Sequence, residues 1–255
     1  MRSNPPFLDH PGPLAFAHRG AHGGDIPENT MRSFQHAVDL GYRYLETDAH
    51  LTADGVLVSF HDDRLDRVTD RSGAIAELPW REVGAAVVGE SDRVPRLSDL
   101  LEAFPNACFN IDPKHDEALE PLLELIRAHN ALERVCLTAF SDERIARARK
   151  LLGTGLCTGL GPREIARLLG AARGMGWMRT PGHAAQVPIR HRNVTIVTRR
   201  FVKAAHRRGL QVHVWTIDEP SEMHRLLDLG VDGLMTDRAE VLRDVLADRG
   251  EWHPA

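Results

Sequence analysis

Cysteines, aromatic residues and an excess of positive charge are scarce or missing in this sequence of 255 residues. The three cysteines, Cys108, Cys136 and Cys157, are an odd number and lie far apart, each within an apolar, strand-like run. We interpret them as buried free thiols in a reducing compartment rather than as disulfide partners or ligands of a metal cluster. Lysine and arginine total 32 against 36 acidic residues, so the net charge of −4 argues against a nucleic-acid-binding protein.

Long apolar stretches are missing as well. No uninterrupted hydrophobic run approaches the roughly 18 residues that a membrane span requires, and prolines and Asp9 interrupt the N-terminal stretch where a signal peptide would lie. We therefore expect a cytoplasmic protein without stable membrane insertion, whose oligomeric state the sequence leaves open. Hydrophobic residues at 42% and charged residues at 27% are typical of globular chains, which excludes disorder and collagen-like repeats.

Short apolar runs of strand type alternate with segments of helical spacing. The runs LAFAH at 14–18 and CFNID at 108–112 each precede a helical pattern, and a final helix is predicted around 239–248. Such alternation implies parallel strands joined by right-handed crossovers. The early runs YLETD at 44–48 and VLVSFH at 56–61 have no helix between them, and merging them leaves about eight units, the number in a TIM-type (β/α)8 barrel. We predict that α/β fold.

Residues 62–97 do not follow the alternation, because they are rich in charge and glycine. We interpret them as a small insertion after the second strand unit of a single domain that spans residues 1–255. The weakest predicted strand is AAQVPI at 184–189. The main competing fold is a doubly wound open sheet, but no GxGxxG motif follows the first strand, which weakens a dinucleotide-binding version of it.

Carboxylates end two of the predicted strands, at the barrel face that carries active sites. Glu46 and Asp48 end one run and point to the same side, because side chains alternate along a strand, and Asp112 ends another. Three converging carboxylates raise one another's pKa values, and a divalent cation removes the conflict. Oxygen ligands favour Mg²⁺, Mn²⁺ or Ca²⁺ over Zn²⁺, so we predict one such ion here, with ion pairing at the rim as the alternative.

Further polar residues end neighbouring runs. His18 and His61 are the predicted proton-transfer pair, since imidazole titrates near neutrality. Arg19 follows the first histidine, and a guanidinium suits a phosphate oxygen. Lys114 is one of only three lysines, which points to a specific need for a compact charge beyond the third carboxylate. Trp215 ends the HVW run, where its ring can pack on the carbon skeleton of a ligand or plug the barrel mouth.

Most of the 14 histidines require no chemical role. We assign none to those that fall in predicted loops or helical patterns, namely His22, His36, His50, His129, His206 and His224.

In their order and spacing, these motifs resemble the glycerophosphodiester phosphodiesterase family over nearly the whole chain. The matching segments are His18-Arg19-Gly20, Pro27-Glu28-Asn29-Thr30, Glu46 with Asp48, His61-Asp62, the stretch 65–70, Asp112-Pro113-Lys114, the stretch 215–218 and the stretch 230–237. The resemblance implies a TIM-type barrel with a small insertion and hydrolysis of glycerophosphodiesters to glycerol 3-phosphate and an alcohol. It also implies one divalent cation on the three carboxylates, two acid/base histidines, and phosphate contacts from the arginine and the lysine.

The sequence departs from the family pattern in two places. The loop between His18 and Glu28 is longer than the commonest version, and the third metal ligand is Asp112 where the family usually has a glutamate, a longer side chain. Both leave the chemistry in place, and the second makes the metal affinity the open question. Water and the substrate's own 2-hydroxyl group, which would give a cyclic phosphate, are both candidate nucleophiles, and either histidine is a candidate acid.

Other functions fit the sequence less well. A lysophospholipase D or a sphingomyelinase-D-like lipid enzyme would be favoured by a longer apolar rim or a membrane-binding segment, and neither is evident in the sequence. A zinc amidohydrolase on the same barrel usually needs His-x-His after the first strand, and the chain contains no such motif. A non-catalytic binding module would have lost a histidine or a ligand, but all of these positions are filled by competent residues.

Overall fold

Eight strand–helix units follow one another in the computed structural model, which describes residues 5–175 and 181–255. The strands are β1 Leu14–His18, β2 Tyr44–Leu51, β3 Cys108–Pro113, β4 Val135–Leu137, β5 Cys157–Thr158, β6 Ala184–Pro188, β7 Gln211–Trp215 and β8 Gly233–Thr236. The helices are α1 Met31–Asp39, α2 Leu97–Ala103, α3 Leu119–Ala128, α4 Asp142–Leu152, α5 Pro162–Ala172, α6 Arg199–His206, α7 Pro220–Leu229 and α8 Ala239–Asp248.

The eight strands pair in parallel, each with its neighbours in sequence, and β1 pairs with β8. The remaining seam, between β5 and β6, is joined by one parallel bridge between Gly159 and Ala184. Two backbone hydrogen bonds support it, from His183 N–H to Thr158 O at 2.8 Å and from Leu160 N–H to Ala184 O at 2.9 Å. The predicted TIM-type barrel is thereby confirmed, and AAQVPI supplies its sixth strand.

Alternation along the strands separates two apolar clusters. Phe109 and Ile111 belong to the large cluster that the strands form with the surrounding helices. Side chains on the opposite strand faces form a second cluster, to which Phe7 and Leu8 of the 3-10 turn Pro6–Leu8 contribute. The members of this cluster are Phe7, Leu8, Leu14, Phe16, Tyr44, Cys108, Cys136, Cys157 and Met235. All three cysteines are therefore buried and free, as predicted.

Local sequence signals set several helix ends. Thr30 and Ser33 form a reciprocal capping box at the start of α1, which satisfies N–H groups that the first turn leaves unpaired. Ser141 caps α4, because its side chain accepts a hydrogen bond from the N–H of Arg144. Helix α7 begins at Pro220 and is capped after Leu229 by Gly230, whose φ of +91° favours glycine. Helix α8 occupies the predicted range 239–248.

The chain leaves the barrel after β2 and forms a small layer with its own apolar cluster. Strand Leu57–Ser59 pairs antiparallel with the end of β2, so the run VLVSFH is not a barrel strand. Its Val58 and Phe60 pack with Leu65, Ile75 and other residues of the following segment. The apolar contacts of this layer therefore begin upstream of residue 62.

Short elements complete the described structure. They are the helix Trp80–Val83, the hairpin of Val87–Val88 with Asp92–Arg93, the hairpin of Arg190–His191 with Val194–Thr195, and the 3-10 turns Leu65–Arg67, Ile75–Glu77, Leu132–Arg134 and Gly153–Gly155. The single-domain assignment over 1–255 and the insertion bounds 62–97 stay predictions. Residues 1–4, which belong to the stretch considered for a signal peptide, lie outside the described residues, as do 176–180. No helix in the described ranges has the length and apolar character needed to cross a bilayer.

A buried ion pair connects helices α4 and α5 beside strand β5, at the edge of the β5–β6 seam. Arg149 of α4 lies 2.9 Å from Glu164 of α5, and both side chains are largely buried. The guanidinium also donates to Thr158 Oγ1 at 2.8 Å and to the carbonyl of Gly159 at 2.7 Å. Glu164 in turn accepts from the N–H of Gly161 at 3.0 Å. One arginine therefore joins α4 and α5 to the end of β5, the strand that borders the seam.

Arg149→Met is expected to lower the free energy of unfolding by about 3–5 kcal/mol, because it leaves the Glu164 carboxylate buried without its partner. Arg147→Met, on the same helix, is the matched control, since its pair with Glu120 is about half exposed. Exposed pairs contribute about 1 kcal/mol or less. Urea unfolding of the wild type and the two variants measures both effects. Equal losses of unfolding free energy in the two variants would show that the buried pair contributes no more than the exposed one.

Candidate active site

A polar cavity of about 270 Å³ lies at the carboxyl end of the barrel strands. The predicted site residues all line it: His18, Arg19, Glu46, Asp48, His61, Asp112, Lys114 and Trp215. The structure therefore brings all of them together, while the roles assigned to them stay predictions.

The register of β2 with β3 brings the three carboxylates together. Asp48 lies opposite Asp112 in the ladder, and Glu46 precedes Asp48 by two residues, so all three face the cavity. Their exposed fractions are only 6% for Glu46, 3% for Asp48 and 7% for Asp112. Burial, reinforced by the charge of Asp48, raises the pKa of Glu46 to about 7. Burial likewise raises the pKa of Asp112 to about 6, although Lys114 opposes the shift.

Lys114 extends its ammonium group between two of these carboxylates. Its Nζ lies 2.5 Å from Asp48 Oδ1 and 3.1 Å from Asp112 Oδ2. Burial would lower the pKa of Lys114, but the two carboxylates outweigh it and raise the pKa above its usual value. The lysine is thus charged and satisfies one oxygen of each acid.

Unpaired polar atoms are concentrated in this cavity. Four buried side-chain atoms of the described residues have no hydrogen-bond partner, and three of them belong to residues that line the cavity. Two are the outer oxygens, Asp48 Oδ2 and Asp112 Oδ1, and the third is Arg19 Nε. A buried acceptor or donor without a partner costs free energy, so these atoms indicate a site made for ligands. The oxygens fit a cation and the guanidinium N–H fits an anion.

His18 is held by Asp237, which follows β8. Its ring donates from Nδ1 to Asp237 Oδ1 at 2.6 Å, and its Nε2 lies 3.7 Å from Glu46 Oε2. Burial would lower the pKa of His18, but the negative charges of Glu46 and Asp237 outweigh burial and raise it. Because Nδ1 is occupied by the aspartate, Nε2 is the nitrogen available to a ligand.

His22 shares the same aspartate, although the sequence analysis gave this histidine no role. Its Nε2 lies 3.0 Å from Asp237 Oδ1. Burial opposes ionisation of Asp237, yet the hydrogen bonds from His18 and His22 hold its pKa well below the usual range. Ligating atoms of these three residues all lie within 4.8 Å of one another. Within the described ranges, the three predicted carboxylate ligands are not all this close together, and Lys114 contacts two of them.

His61 reaches the cavity by a different route from His18. Strand Leu57–Ser59 runs back along β2, and Phe60 N–H donates to the carbonyl of Asp48 at 3.1 Å, which places His61 at the rim. His50 also anchors it, since His50 Nε2 donates to the carbonyl of His61 at 3.1 Å. The expectation that His50 lies in a loop or helix is therefore wrong, because it is a buried residue of β2.

A chain of ion pairs links His61 to Arg19. The His61 ring lies 2.6 Å, through Nδ1, from Asp62 Oδ1. Arg67 contacts Asp62 at 2.5 Å and Glu28 at 2.6 Å, and Glu28 in turn lies 3.0 Å from Arg19. Hydrogen bonding from Arg67 lowers the pKa of Asp62 to about 2, so this acid is ionised when it orients the histidine.

The floor of the cavity is polar but uncharged. Gln186 donates to Asn110 Oδ1 at 2.8 Å and also contacts Nδ1 of His213 at 3.2 Å. Nε2 of His213 lies 2.9 Å from Gln211 Oε1. The imidazole is fully buried, and burial lowers its pKa to about 3, so it is neutral near pH 7.

His213→Gln is expected to weaken the dependence of stability on pH. The His213 pKa is about 3 in the folded protein and about 6.5 in an unfolded chain, so the unfolded state takes up the proton first. The free energy of unfolding should then fall by about 1.4 kcal/mol per pH unit as the pH drops below roughly 6.5. Between pH 7 and pH 5, urea unfolding should show a loss up to about 2 kcal/mol larger in the wild type than in the variant. Equal losses would show that this histidine is not buried in its neutral form.

Several residues of the site were missed from sequence. Asp237 ends the run VDGLMTD, so the strand-end rule that selected Asp48 also points to it. His22 lies in a loop and Arg67 in the 3-10 turn Leu65–Arg67. Neither carries such a signal, because only the folded chain brings them to Asp237 and Asp62.

Comparison with known proteins gives a consistent result. The profile described as "Glycerophosphoryl diester phosphodiesterase family" matches residues 18–241. A Mycobacterium tuberculosis protein named "Probable glycerophosphodiester phosphodiesterase 2" is 44% identical over 255 residues, covering 98% of this chain and 96% of its own. The "Glycerophosphodiester phosphodiesterase" of Caldanaerobacter subterraneus subsp. tengcongensis is 28% identical over 254 residues, covering 93% of this chain and 99% of its own.

The fold has close counterparts among solved structures. A crystal structure of a Silicibacter pomeroyi DSS-3 protein superposes with a TM-score of 0.80 at 26% sequence identity, covering 97% of this chain and 98% of that one. The similarity therefore extends over the whole barrel, including the strand ends that form the polar cavity.

Proposed function

Because the chain belongs to the glycerophosphoryl diester phosphodiesterase family, we propose that it is a metal-dependent enzyme that hydrolyses glycerophosphodiesters to glycerol 3-phosphate and an alcohol. The observation that carries this proposal is the set of unpaired atoms in the polar cavity. Asp48 Oδ2 and Asp112 Oδ1 accept no hydrogen bond, and Arg19 Nε donates none, although it lies 3.7 Å from Asp48 Oδ2. A divalent cation together with a phosphodiester supplies both.

Glu46, Asp48 and Asp112 are the residues that would hold the cation. Their donor set is all oxygen, which fits Mg²⁺ or Ca²⁺, with Mn²⁺ as a further candidate, and disfavours Zn²⁺. The shorter side chain of Asp112 is compatible with this role, because its strand position lies directly opposite Asp48. When bound, the cation polarises a phosphoryl oxygen and stabilises the charge that develops there.

His18 and His61 are the proposed acid/base pair. Each ring is hydrogen-bonded through Nδ1 to an aspartate, Asp237 for the first and Asp62 for the second. Such a partner fixes the orientation of the imidazole and leaves Nε2 to exchange protons with substrate. One histidine would deprotonate the nucleophile, and the other would protonate the departing alkoxide.

Arg19, Lys114 and Trp215 are the proposed substrate-binding residues. The guanidinium and the ammonium lie beside the carboxylates, where they can bind the phosphate oxygens. The Trp215 ring lines the same cavity and can pack against the glycerol carbons. The arrangement supports a small phosphodiester as the ligand.

His18→Ala and His61→Ala should each lower turnover of glycerophosphocholine by roughly 10²–10⁴-fold, the usual contribution of general acid–base catalysis. Both residues lie at the rim, so the folded state should survive, and circular dichroism can verify this. His36→Ala is a suitable control, because His36 pairs with Glu240 and does not line the cavity. Turnover near that of the wild type in a folded variant would remove the substituted histidine from the mechanism.

Chelation should abolish activity, and Mg²⁺, Mn²⁺ or Ca²⁺ should restore it. Asp112→Asn should weaken cation binding at least about tenfold in calorimetric titrations, because it removes a ligand charge and not merely an outer contact. Asp112→Glu should be the mildest change at this position, since it keeps the carboxylate. The three-carboxylate site would be disproved if Asp112→Asn bound the cation as tightly as the wild type does.

A further inference from the structure

A second pocket, of about 390 Å³, adjoins the polar cavity. The two spaces share Asp112, Thr138, Phe140, Gln186 and Trp215 as lining residues. Neither histidine of the proposed acid/base pair lines the second pocket. It therefore extends away from the reacting groups, past the border formed by the shared residues.

The second pocket has an apolar lining beyond that border. Its wall is built by residues of the loop after β4, the loop after β5, helix α5 and strand β6. The apolar residues that define it are Phe140, Leu160, Ile165, Ala166, Leu169 and Val187. Among the described residues that line it, no lysine or arginine is present, and Asp112 is the sole acid. The pocket thus offers little to a phosphate, an ammonium group or a polyol.

Part of this apolar surface is open to water. Phe140 is 74% exposed and makes an edge-to-face contact with Trp215, at 5.9 Å between ring centroids. Ala166 is exposed, and Ile165 and Leu169 on the same helix are half-buried. A concave surface of this kind, lined by apolar groups beside a polar site, is typical of a ligand pocket and not of ordinary protein surface.

We propose that this apolar pocket binds a hydrocarbon chain carried by the phosphodiester substrate. Since the pocket shares five lining residues with the polar cavity, a molecule that fills both must combine a phosphodiester with an apolar chain. The inference rests on the proposed function and defines its substrate class more narrowly, as glycerophosphodiesters with an acyl or alkyl chain. The chain is attached either to the glycerol or to the leaving alcohol, and the chemistry of the pocket is the same for both.

The sequence shows no apolar rim, because the residues that line this pocket come together only in the folded chain. Its residues come from three separate stretches, around Phe140, along 159–169 and along 186–188. None of these stretches is apolar enough by itself to differ from an ordinary strand or helix. Only the neighbouring positions of β4, β5 and β6 in the barrel bring them to one surface.

Chain-length dependence tests this proposal. The substrates are glycerophosphocholine without a chain, lysophosphatidylcholines with butanoyl, octanoyl or dodecanoyl chains, and glycerophospho-octanol, each used below the concentration at which it forms micelles. For the series that enters the pocket, kcat/KM should rise by about two- to fourfold per added methylene until the pocket is full. A rise with the acyl series places the chain on the glycerol, and preference for glycerophospho-octanol places it on the alcohol.

A filled pocket should remove this dependence. Ala166→Trp introduces a large ring into the pocket, and it should lower kcat/KM for the preferred chain-bearing substrate at least about tenfold while sparing the chainless one. Ala146→Trp is the matched control, because Ala146 is an exposed alanine on α4 that does not line the pocket. A flat response to chain length in the wild type, or equal losses in both variants, would overturn the proposal.

Binding without turnover separates this proposal from the proposed function. Calorimetric titration with alkylphosphocholines of the same chain lengths should show affinity that rises with chain length in the wild type and in Ala146→Trp, but not in Ala166→Trp. Chain-dependent binding without hydrolysis of any substrate in the presence of metal would support the pocket and overturn the proposed function. Hydrolysis of glycerophosphocholine with chain-independent binding would overturn the pocket alone.

Discussion

The parallel pairing of β2 with β3 is the constraint on which the site depends. It fixes Asp48 opposite Asp112 and keeps Glu46 on the same face, so three carboxylates share a space that is almost closed to water. Burial disfavours the charged form of such acids, as the raised pKa values of Glu46 and Asp112 indicate. The cluster can carry charge only where positive groups surround it. Lys114 and the arginine after β1 supply part of that charge from the protein itself.

Charged partners also hold the two histidines in place. Each has an ionised aspartate on Nδ1, and each aspartate is itself held by a second positive or donating group. Asp237 receives His22 as well as His18, and Asp62 receives Arg67 as well as His61. Both imidazoles are thereby oriented from outside the carboxylate cluster, which leaves their other nitrogen free to act within the cavity. Arg67 also pairs with Glu28, which in turn pairs with Arg19. A chain of ion pairs therefore connects the two sides of the site.

Residues that line the polar cavity could be predicted from the sequence wherever they lie at strand ends. In a parallel barrel all carboxyl ends of the strands meet at one face, so polar residues such as Glu46 and Asp112 could be predicted to converge without knowledge of the register. His61 was predicted on the same rule but arrives by a returning antiparallel strand, which the hydrophobic pattern does not distinguish from a barrel strand. His22 was missed because its partner is 215 residues away. The apolar pocket was missed because it exists only between neighbouring units.

Charge balance limits what the cavity can bind. Asn110 and Gln186 line the cavity, and His213 contacts Gln186 without lining it. All three are neutral, so they compensate neither the carboxylates nor the cationic residues. A cation alone would pair the free oxygens of the two aspartates but would leave Arg19 Nε without an acceptor. An anion alone would satisfy the arginine but would place a further negative charge beside three buried acids. Only a cation and an anionic ester bound together satisfy all of these atoms, and the uncharged pocket beyond Asp112 leaves the rest of the ester to hydrophobic contacts.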